Sequence, residues 1–240
     1  MTPATTPLLQ VEKVSAGYGL MPVLHELSIE VRQAEIVALV GSNGAGKTTL
    51  LRVLSRLLSC DGRILLAGRD ITPCTPDQVF SQGLVQVPEG RQLFPRMSVQ
   101  DNLLMGAYRR HDKAAIRRDL DRMYTLFPRL GERRGQLAGS MSGGEQQMCA
   151  MARALMAAPV LMMIDEMSLG LAPVIVQQLV DVLADIRKQG VTVLLVEQDV
   201  QVALSAADRA YVIENGRVTL SGEARQLIDD PAVQQAYLGV

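Results

Sequence analysis

The amino-acid sequence predicts an α/β fold with a mostly parallel sheet, an N-terminal antiparallel β annex and an inserted α-helical subdomain. Residues 36–40, 160–164 and 191–196 are almost continuously apolar, as is typical of parallel strands that helices cover on both faces. Residues 27–31 instead alternate apolar and polar side chains, which indicates a half-exposed antiparallel strand. These patterns favour an α/β core with a second, antiparallel layer.

Helical patterns separate the apolar runs. Residues 47–58, 146–157 and 174–188 carry apolar side chains at helical spacing, and Gly190 is placed to end the last helix.

The stretch between the first two of these helices is itself largely helical. Ser98 is a suitable N-cap for a helix over residues 99–108, and a second helix is predicted over residues 114–127, ending before Pro128.

We therefore expect a single domain over residues 1–240, divided into two parts. Residues 1–92 and 155–240 would form the α/β core with its antiparallel annex, and residues 93–154 the helical subdomain.

Composition narrows the classes of protein that fit. The chain is 48% hydrophobic, yet its apolar runs fall far short of the ~20 residues that a membrane-spanning helix needs, so we expect a soluble protein. A net charge of -1 argues against a nucleic-acid surface across the whole fold. Three scattered cysteines and the absence of an export signal at the N-terminus suit a reducing cytosol.

A phosphate-binding loop follows the first parallel strand. The sequence there fits G-x-x-x-x-G-K-[ST] between a strand and a helix. Its residues are Gly41, Ser42, Asn43, Gly44, Ala45, Gly46, Lys47, Thr48 and Thr49. The glycines let backbone N–H groups approach phosphate oxygens, Lys47 would neutralise the β- and γ-phosphates, and Thr48 would offer an oxygen ligand to Mg²⁺.

A second candidate element ends the apolar strand at residues 160–164. Asp165 and Glu166 follow it and would lie at the carboxyl edge of the sheet, beside the phosphate loop. Asp165 would hold Mg²⁺, and Glu166 would act as general base on the attacking water. On its own such a pair also fits an ordinary strand-end turn, but a preceding phosphate loop makes the functional interpretation strong.

Residues 141–147 are Met-Ser-Gly-Gly-Glu-Gln-Gln, and with them the chain resembles the ATP-binding cassette (ABC) ATPases, whose signature is usually Leu-Ser-Gly-Gly-Gln. Ser142 and Glu145 also form an S-x-x-E capping box, so the alternative interpretation is a well-capped helix start, and both interpretations can hold at once. The resemblance implies that Ser142, Gly143, Gly144 and Glu145 grip the γ-phosphate of an ATP bound to an opposite subunit. Two cassettes would then sandwich two ATP molecules head to tail.

Further positions match this family. The resemblance implies that Tyr18 stacks on adenine, although core packing is the alternative for this side chain. Residues 168–171 match the loop through which two subunits sense each other. Glu89 stands where a glutamine that touches Mg²⁺ and the membrane subunit is usual, and it could still reach the ion. Gln198 stands where a phosphate-sensing histidine is usual, and it would orient water or phosphate only.

Several short sequence motifs narrow the resemblance to the branched-chain amino-acid uptake ATPases. The chain resembles one of the two ATPase subunits of that system. The motifs are Glu-Arg-Arg at residues 132–134, Ser-Leu-Gly-Leu-Ala-Pro at residues 168–173, and the ending at residues 236–239. This implies a peripheral location on the cytoplasmic face of the inner (plasma) membrane. The implied partners are an identical or paralogous ATPase subunit, two transmembrane permease subunits and, indirectly, an external solute-binding protein, but not nucleic acid. A groove near Arg91, Phe94 and Pro95 would receive a permease helix.

Three alternatives share these motifs. The chain could energise import of another small solute of the urea or amide type. It could be a soluble cassette, of which the iron-sulfur assembly ATPases fit the length best. It could also be a binding module that holds nucleotide with little hydrolysis, because Glu89 and Gln198 depart from the usual residues.

Overall fold

The computed structural model describes residues 7–235, which form two β-sheets surrounded by helices. The strands are β1 (Leu9–Tyr18), β2 (Met21–Val31), β3 (Ile36–Val40), β4 (Asp61–Leu66), β5 (Arg69–Asp70), β6 (Leu84–Val87), β7 (Leu161–Asp165), β8 (Thr192–Glu197), β9 (Arg209–Glu214) and β10 (Arg217–Glu223). The helices are α1 (Lys47–Leu54), α2 (Pro76–Ser81), α3 (Val99–Gly106), α4 (Lys113–Leu126), α5 (Pro128–Glu132), α6 (Gly143–Leu155), α7 (Pro173–Lys188), α8 (Val200–Ala206), α9 (Ala224–Ile228) and α10 (Pro231–Val233), with a 3-10 helix at Ala138–Ser140. Within the described range, each helix is too short or too polar to span a bilayer.

The sheets have the predicted mixture of strand directions. The larger sheet has the order β10-β9-β3-β8-β7-β6, in which only the edge strand β10 runs antiparallel to its neighbour. The smaller sheet, β2-β1-β4-β5, is antiparallel throughout. This confirms the α/β fold with a mostly parallel sheet and an N-terminal antiparallel annex.

The parallel strands lack polar alternation because both of their faces are buried. In β8, Val193 and Leu195 pack into the hydrophobic cluster on the side of α6 and α7. Leu194 and Val196 point the other way, into the cluster shared with α1 and the antiparallel sheet. Successive strand residues therefore both need apolar side chains.

Several predicted element ends were wrong by a few residues. The helix predicted over residues 47–58 ends at Leu54, because Arg56 adopts a left-handed conformation with φ 58°. The helix predicted over residues 146–157 already begins at Gly143. The last two apolar strands extend one residue further than predicted, because Asp165 and Glu197 still pair within the sheet.

The helical block between β6 and β7 contains α3, α4, α5 and α6. Ser98 caps α3 as predicted, since its side chain accepts a hydrogen bond from the N–H of Asp101. A Cβ at Gly106 would lie 1.9 Å from the carbonyl oxygen of Arg153, so α3 and α6 touch backbone to backbone there. The division of the chain at residues 93–154 stays a prediction, and residues 236–239 lie outside the described range.

The strand register brings four loops to one edge of the larger sheet. Val40 at the end of β3 pairs with Glu197, and Asp165 pairs with Val196 in β8. The end of β6 lies beside Ile164. The loops that follow β3, β6, β7 and β8 therefore leave the carboxyl edge side by side, where open parallel sheets bind their ligands.

Candidate active site

The loop between β3 and α1 has a shape that only glycine permits at several positions. Gly44 and Gly46 have φ angles of 81° and 108°, which side chains disfavour. A Cβ at Gly41 would lie 2.3 Å from the carbonyl oxygen of Ile213. The loop can therefore take this shape only with glycine at these positions.

Lys47 is the first residue of α1, and it is only 5% exposed. Its Nζ donates hydrogen bonds to the carbonyl oxygens of Gly41 (2.7 Å) and Ser42 (3.2 Å). The ammonium group thus lies against the loop backbone, while the side chains of Ser42, Asn43 and Thr48 are exposed. The positive end of α1 adds to a potential that favours phosphate oxygens.

Tyr18 ends β1 close to this helix and is 44% exposed. Its hydroxyl oxygen accepts a hydrogen bond from Nη1 of Arg52 (3.2 Å), and the guanidinium carbon is 5.7 Å from the ring centroid. Arg52 lies on α1, so the ring is tied to the element that begins at the phosphate loop. This exposure argues against core packing and leaves the ring accessible to a base, although adenine stacking stays a prediction.

Asp165 is a buried carboxylate with an unsatisfied oxygen. It is 3% exposed, and within the described residues its Oδ1 has no hydrogen-bond partner. Burial, together with the negative charges of Glu166 and Glu89, raises the pKa of Asp165 to about 6 against the positive charge of Lys47. Three other predicted residues, Lys47, Glu89 and Glu166, therefore act electrostatically on Asp165.

The donor set around Asp165 suits a hard cation. The carboxylate oxygen of Asp165 has no partner, and the positive charge of Lys47 does not offset the burial of the group and its two acidic neighbours, so a bound cation would stabilise its ionised form. The described residues contain no cluster of three or more His, Cys, Asp or Glu side chains that would hold a metal ion by themselves. The single buried carboxylate suits Mg²⁺, which commonly binds one or two protein oxygens and takes its other ligands from phosphates and water.

Glu166 follows β7 in a strained backbone conformation. Its φ is 46°, and its N–H donates to the carbonyl oxygen of Val196 (2.8 Å). The half-buried side chain lines a cavity of about 470 Å³ together with Ser168, Glu197 and Gln198. The structure therefore places Glu166 and Gln198 in one cavity, while their catalytic roles stay predictions.

Glu89 lies on an exposed and unusually bent segment after β6. Gly90, Arg91 and Gln92 are three consecutive residues with positive φ angles of 73°, 67° and 46°. Arg153 on α6 holds this segment by donating to the carbonyl oxygens of Gln92 (2.7 Å) and Arg91 (3.1 Å). The segment with Glu89 is thus attached to the helix that begins at residue 143.

The predicted capping box is present at the start of α6. The N–H of Glu145 donates to Oγ of Ser142 (3.4 Å), and the N–H and hydroxyl of Ser142 both donate to Oε2 of Glu145 (2.9 and 2.8 Å). Arg133 forms an ion pair with Oε1 of Glu145 (2.8 Å). Gly144 packs closely, since a Cβ there would lie 2.7 Å from Ile175. Ser142 itself is exposed.

The structure does not bring the signature residues to the phosphate loop. Within residues 7–235, no hydrogen bond or ion pair joins residues 142–145 to residues 41–49.

Sequence reasoning assigned no role to four side chains that shape the site. Glu197 binds Ser168, Arg133 binds Glu145, Arg153 holds the Glu89 segment, and Arg52 contacts Tyr18. Two of them carried a signal in the sequence: Glu197 ends an otherwise apolar strand, and Arg133 lies in the Glu-Arg-Arg motif at residues 132–134. The arginines meet their partners through tertiary contacts that no local pattern encodes.

Comparisons with known proteins agree with this geometry. Residues 24–168 match the family of ABC transporter domains. The chain is 46% identical to the high-affinity branched-chain amino acid transport ATP-binding protein BraG of Pseudomonas aeruginosa, covering 97% of this chain and 100% of that protein. It is 32% identical to the lipopolysaccharide export system ATP-binding protein LptB of Acidithiobacillus ferridurans, covering 97% of each chain.

A solved structure has the same fold. It is the ADP conformation of an ATP-binding cassette of an ABC transporter, with a TM-score of 0.84 and 26% identity. The likeness covers 98% of this chain and 100% of that one.

Proposed function

The chain belongs to the ABC transporter family as an ATP-hydrolysing cassette, and we propose that it powers uptake of branched-chain amino acids through a membrane permease. The similarity to BraG over the whole chain is the observation that carries this solute assignment. The similarity to the export protein LptB is weaker, which favours import of amino acids over export of lipid.

The proposed hydrolysis uses the residues that meet at the carboxyl edge of the larger sheet. Backbone N–H groups of the phosphate loop and the ammonium of Lys47 hold the phosphates of ATP, and Tyr18 stacks on adenine. Glu166 accepts a proton from the water that attacks the γ-phosphate, and Gln198 orients that water or the phosphate. The location of Glu166 and Gln198 in one cavity supports these roles.

Thr48 and Asp165 would hold Mg²⁺, with Glu89 as a further oxygen ligand. The unsatisfied oxygen of Asp165 and the exposed hydroxyl of Thr48 support this assignment. When bound, the ion would neutralise part of the charge on the β- and γ-phosphates.

The proposed working unit is a head-to-tail dimer of this chain with an identical or paralogous cassette. Ser142 and the backbone N–H groups of Gly143 and Gly144 would meet the γ-phosphate of the ATP held by the second cassette. The exposed side chain of Ser142 at the start of α6, where a second chain can reach it, supports an arrangement in trans. Closure around ATP would move the permease, and hydrolysis would reopen the dimer.

The proposed permease contact is an apolar groove between β6, α3 and α6, near the predicted Arg91, Phe94 and Pro95. Its cavity measures about 330 Å³, and its lining includes Phe94, Met105, Tyr108 and Arg153. Phe94, Met105 and Tyr108 are 44%, 39% and 59% exposed, which is unusual for large apolar side chains on one surface. This surface would place the protein at the cytoplasmic face of the inner membrane.

Reconstitution tests the proposed transport. A tagged chain is purified from membranes with its bound proteins, inserted into liposomes and supplied with an external binding protein. We expect co-purified permease subunits and ATP-driven uptake of labelled leucine that isoleucine and valine inhibit. Uptake of urea or an amide instead would replace the solute, and recovery of soluble assembly proteins alone would contradict transport.

A further inference from the structure

Glu197 is a buried carboxylate at the end of an otherwise apolar strand. It is 1% exposed and ends β8. Its Oε1 accepts a hydrogen bond from the N–H of Ser168 (3.0 Å), and its Oε2 accepts one from the hydroxyl of Ser168 (2.9 Å). Both carboxylate oxygens therefore accept hydrogen bonds from the same residue, which lies in the loop after β7.

That loop carries the proposed general base. Glu166 stands two residues before Ser168, in a left-handed conformation with φ 46°. A non-glycine residue in this conformation is strained, and it persists only where its surroundings hold it. The described contacts hold it from two points on β8, namely the carbonyl oxygen of Val196, which accepts from the N–H of Glu166, and the carboxylate of Glu197.

The surroundings of Glu197 make its presence unfavourable for folding at neutral pH. Burial raises the pKa of Glu197 to about 7, with smaller contributions from the negative charges of Glu166 and Asp199, and against the hydrogen bonds from Ser168, which lower it. An apolar side chain at this strand position would avoid that penalty. Packing of the sheet therefore does not explain a glutamate at this position, whereas the two hydrogen bonds of Glu197 with Ser168 do.

We propose that Glu197 is a positioning residue for ATP hydrolysis, which holds Ser168 and thereby fixes Glu166 at the carboxyl edge of the sheet. In this role Glu197 acts through Ser168 and not on the reacting atoms. The inference rests on the proposed role of Glu166 as general base. It predicts that loss of the Glu197 carboxylate misplaces the base while the phosphate loop still binds ATP.

Three variants test this proposal. Glu197→Ala removes both hydrogen bonds to Ser168. Glu197→Gln keeps both contacts, because its carbonyl oxygen can accept from the N–H of Ser168 and its amide can donate to the hydroxyl. Thr192→Val is the matched control at the opposite end of the same strand, where Oγ1 of buried Thr192 accepts a hydrogen bond from the N–H of Ala34 (3.0 Å).

Two measurements are compared across the variants: steady-state hydrolysis, and hydrogen exchange at the Ser168 amide. For Glu197→Ala we expect kcat to fall by roughly 10- to 100-fold with KM for ATP nearly unchanged, and the Ser168 amide to exchange faster. Glu197→Gln should recover most of the rate. Thr192→Val should lose stability without either effect.

A wild-type kcat in Glu197→Ala, or rates that follow the stability loss equally in Glu197→Ala and Thr192→Val, would overturn the positioning role. Unchanged exchange at Ser168 in Glu197→Ala would also overturn it. These results differ from failure of the general-base assignment, in which Glu166→Gln would hydrolyse ATP as fast as the wild type.

Discussion

Glu166 holds a backbone conformation that most side chains avoid, next to a buried carboxyl group whose pKa is raised. The φ of 46° at Glu166 and the raised pKa of Asp165, about 6, are both unfavourable for the stability of the fold, and they occur in two successive residues. Strain and perturbed pKa values gather where a chain is fitted to chemistry rather than to folding alone. Glu166, the proposed base, and Asp165, the proposed metal ligand, are both acidic residues, but they differ in their surroundings. Glu166 has a strained backbone, whereas Asp165 has a raised pKa.

We predict that Glu166→Gln slows single-turnover hydrolysis by on the order of 10²-fold or more, because an amide cannot accept the proton of the attacking water. The change keeps the size of the side chain, so ATP binding should persist. The rate is measured with enzyme in excess over labelled ATP, and binding with a fluorescent ATP analogue. A wild-type rate would refute the assignment of Glu166, and loss of nucleotide binding would show that the side chain supports the site in another way.

We also expect the free energy of unfolding to depend on pH through the buried carboxyl group of Glu197. In the folded protein Glu197 keeps its proton up to about pH 7, whereas the ordinary pKa is 4.5. Between these values the folded state binds more protons than the unfolded state, so this group lowers the free energy of unfolding as pH rises, and the loss is complete above pH 7.

Glu197→Gln removes this titration. We therefore expect the free energy of unfolding of the variant, relative to the wild type, to increase by about 1 to 3 kcal/mol between pH 4.5 and pH 7.5. Urea denaturation at a series of pH values measures the difference. A difference that stays constant across this range would mean that the carboxyl of Glu197 titrates normally.

At the scale of elements, two helices begin with the same capping arrangement and differ in proposed function. Thr75 and Gln78 form a capping box at α2, as Ser142 and Glu145 do at α6. Both serine and threonine caps stabilise a helix start by satisfying a free N–H group. A stability measurement alone therefore cannot distinguish a cap from a phosphate-gripping motif.

We predict that Ser142→Ala and Thr75→Ala each lower the free energy of unfolding by about 1 kcal/mol. Only Ser142→Ala should weaken ATP-dependent dimerisation, because only that hydroxyl would meet the second chain's γ-phosphate. Both changes are made in a Glu166→Gln background, so that ATP is not consumed, and dimers are measured by sedimentation. Equal dimerisation of the two variants would reduce the signature to a helix cap.

The sequence predicted those elements whose signal is local. The apolar runs of β3, β7 and β8, the phosphate loop and the caps Ser98 and Ser142 each depend on a few neighbouring residues. The predicted end of α1 was wrong, because the left-handed turn at Arg56 contains no glycine, the residue that usually marks such a turn in a sequence. The contacts of Arg153 with residues 91 and 92 were also missed, since they join segments about 60 residues apart.

At the scale of the whole molecule, the proposed permease groove and the nucleotide edge share one connecting segment. Residues 90–92 follow Glu89 along the chain, and Gln92 lines the groove. The carbonyl oxygen of Gln92 accepts a hydrogen bond from Arg153 there. The same Arg153 lies 5.7 Å from the ring centroid of Phe94 in the groove. A partner that fills the groove would therefore press on a segment whose other end carries a proposed Mg²⁺ ligand.

We predict that Met105→Glu, in the groove, abolishes co-purification with the permease while the isolated chain hydrolyses ATP at a wild-type rate. Met105 is 39% exposed at the end of α3, so a charge there meets water in the free chain but would be buried without a partner in the complex. Leu57→Glu is the matched control, because Leu57 is also an exposed apolar residue, at 65%, and lies outside the groove lining. If both variants retain the permease, or both lose it, the groove is not the contact surface. Loss of hydrolysis by the isolated Met105→Glu chain would contradict the prediction that this side chain serves partner binding alone.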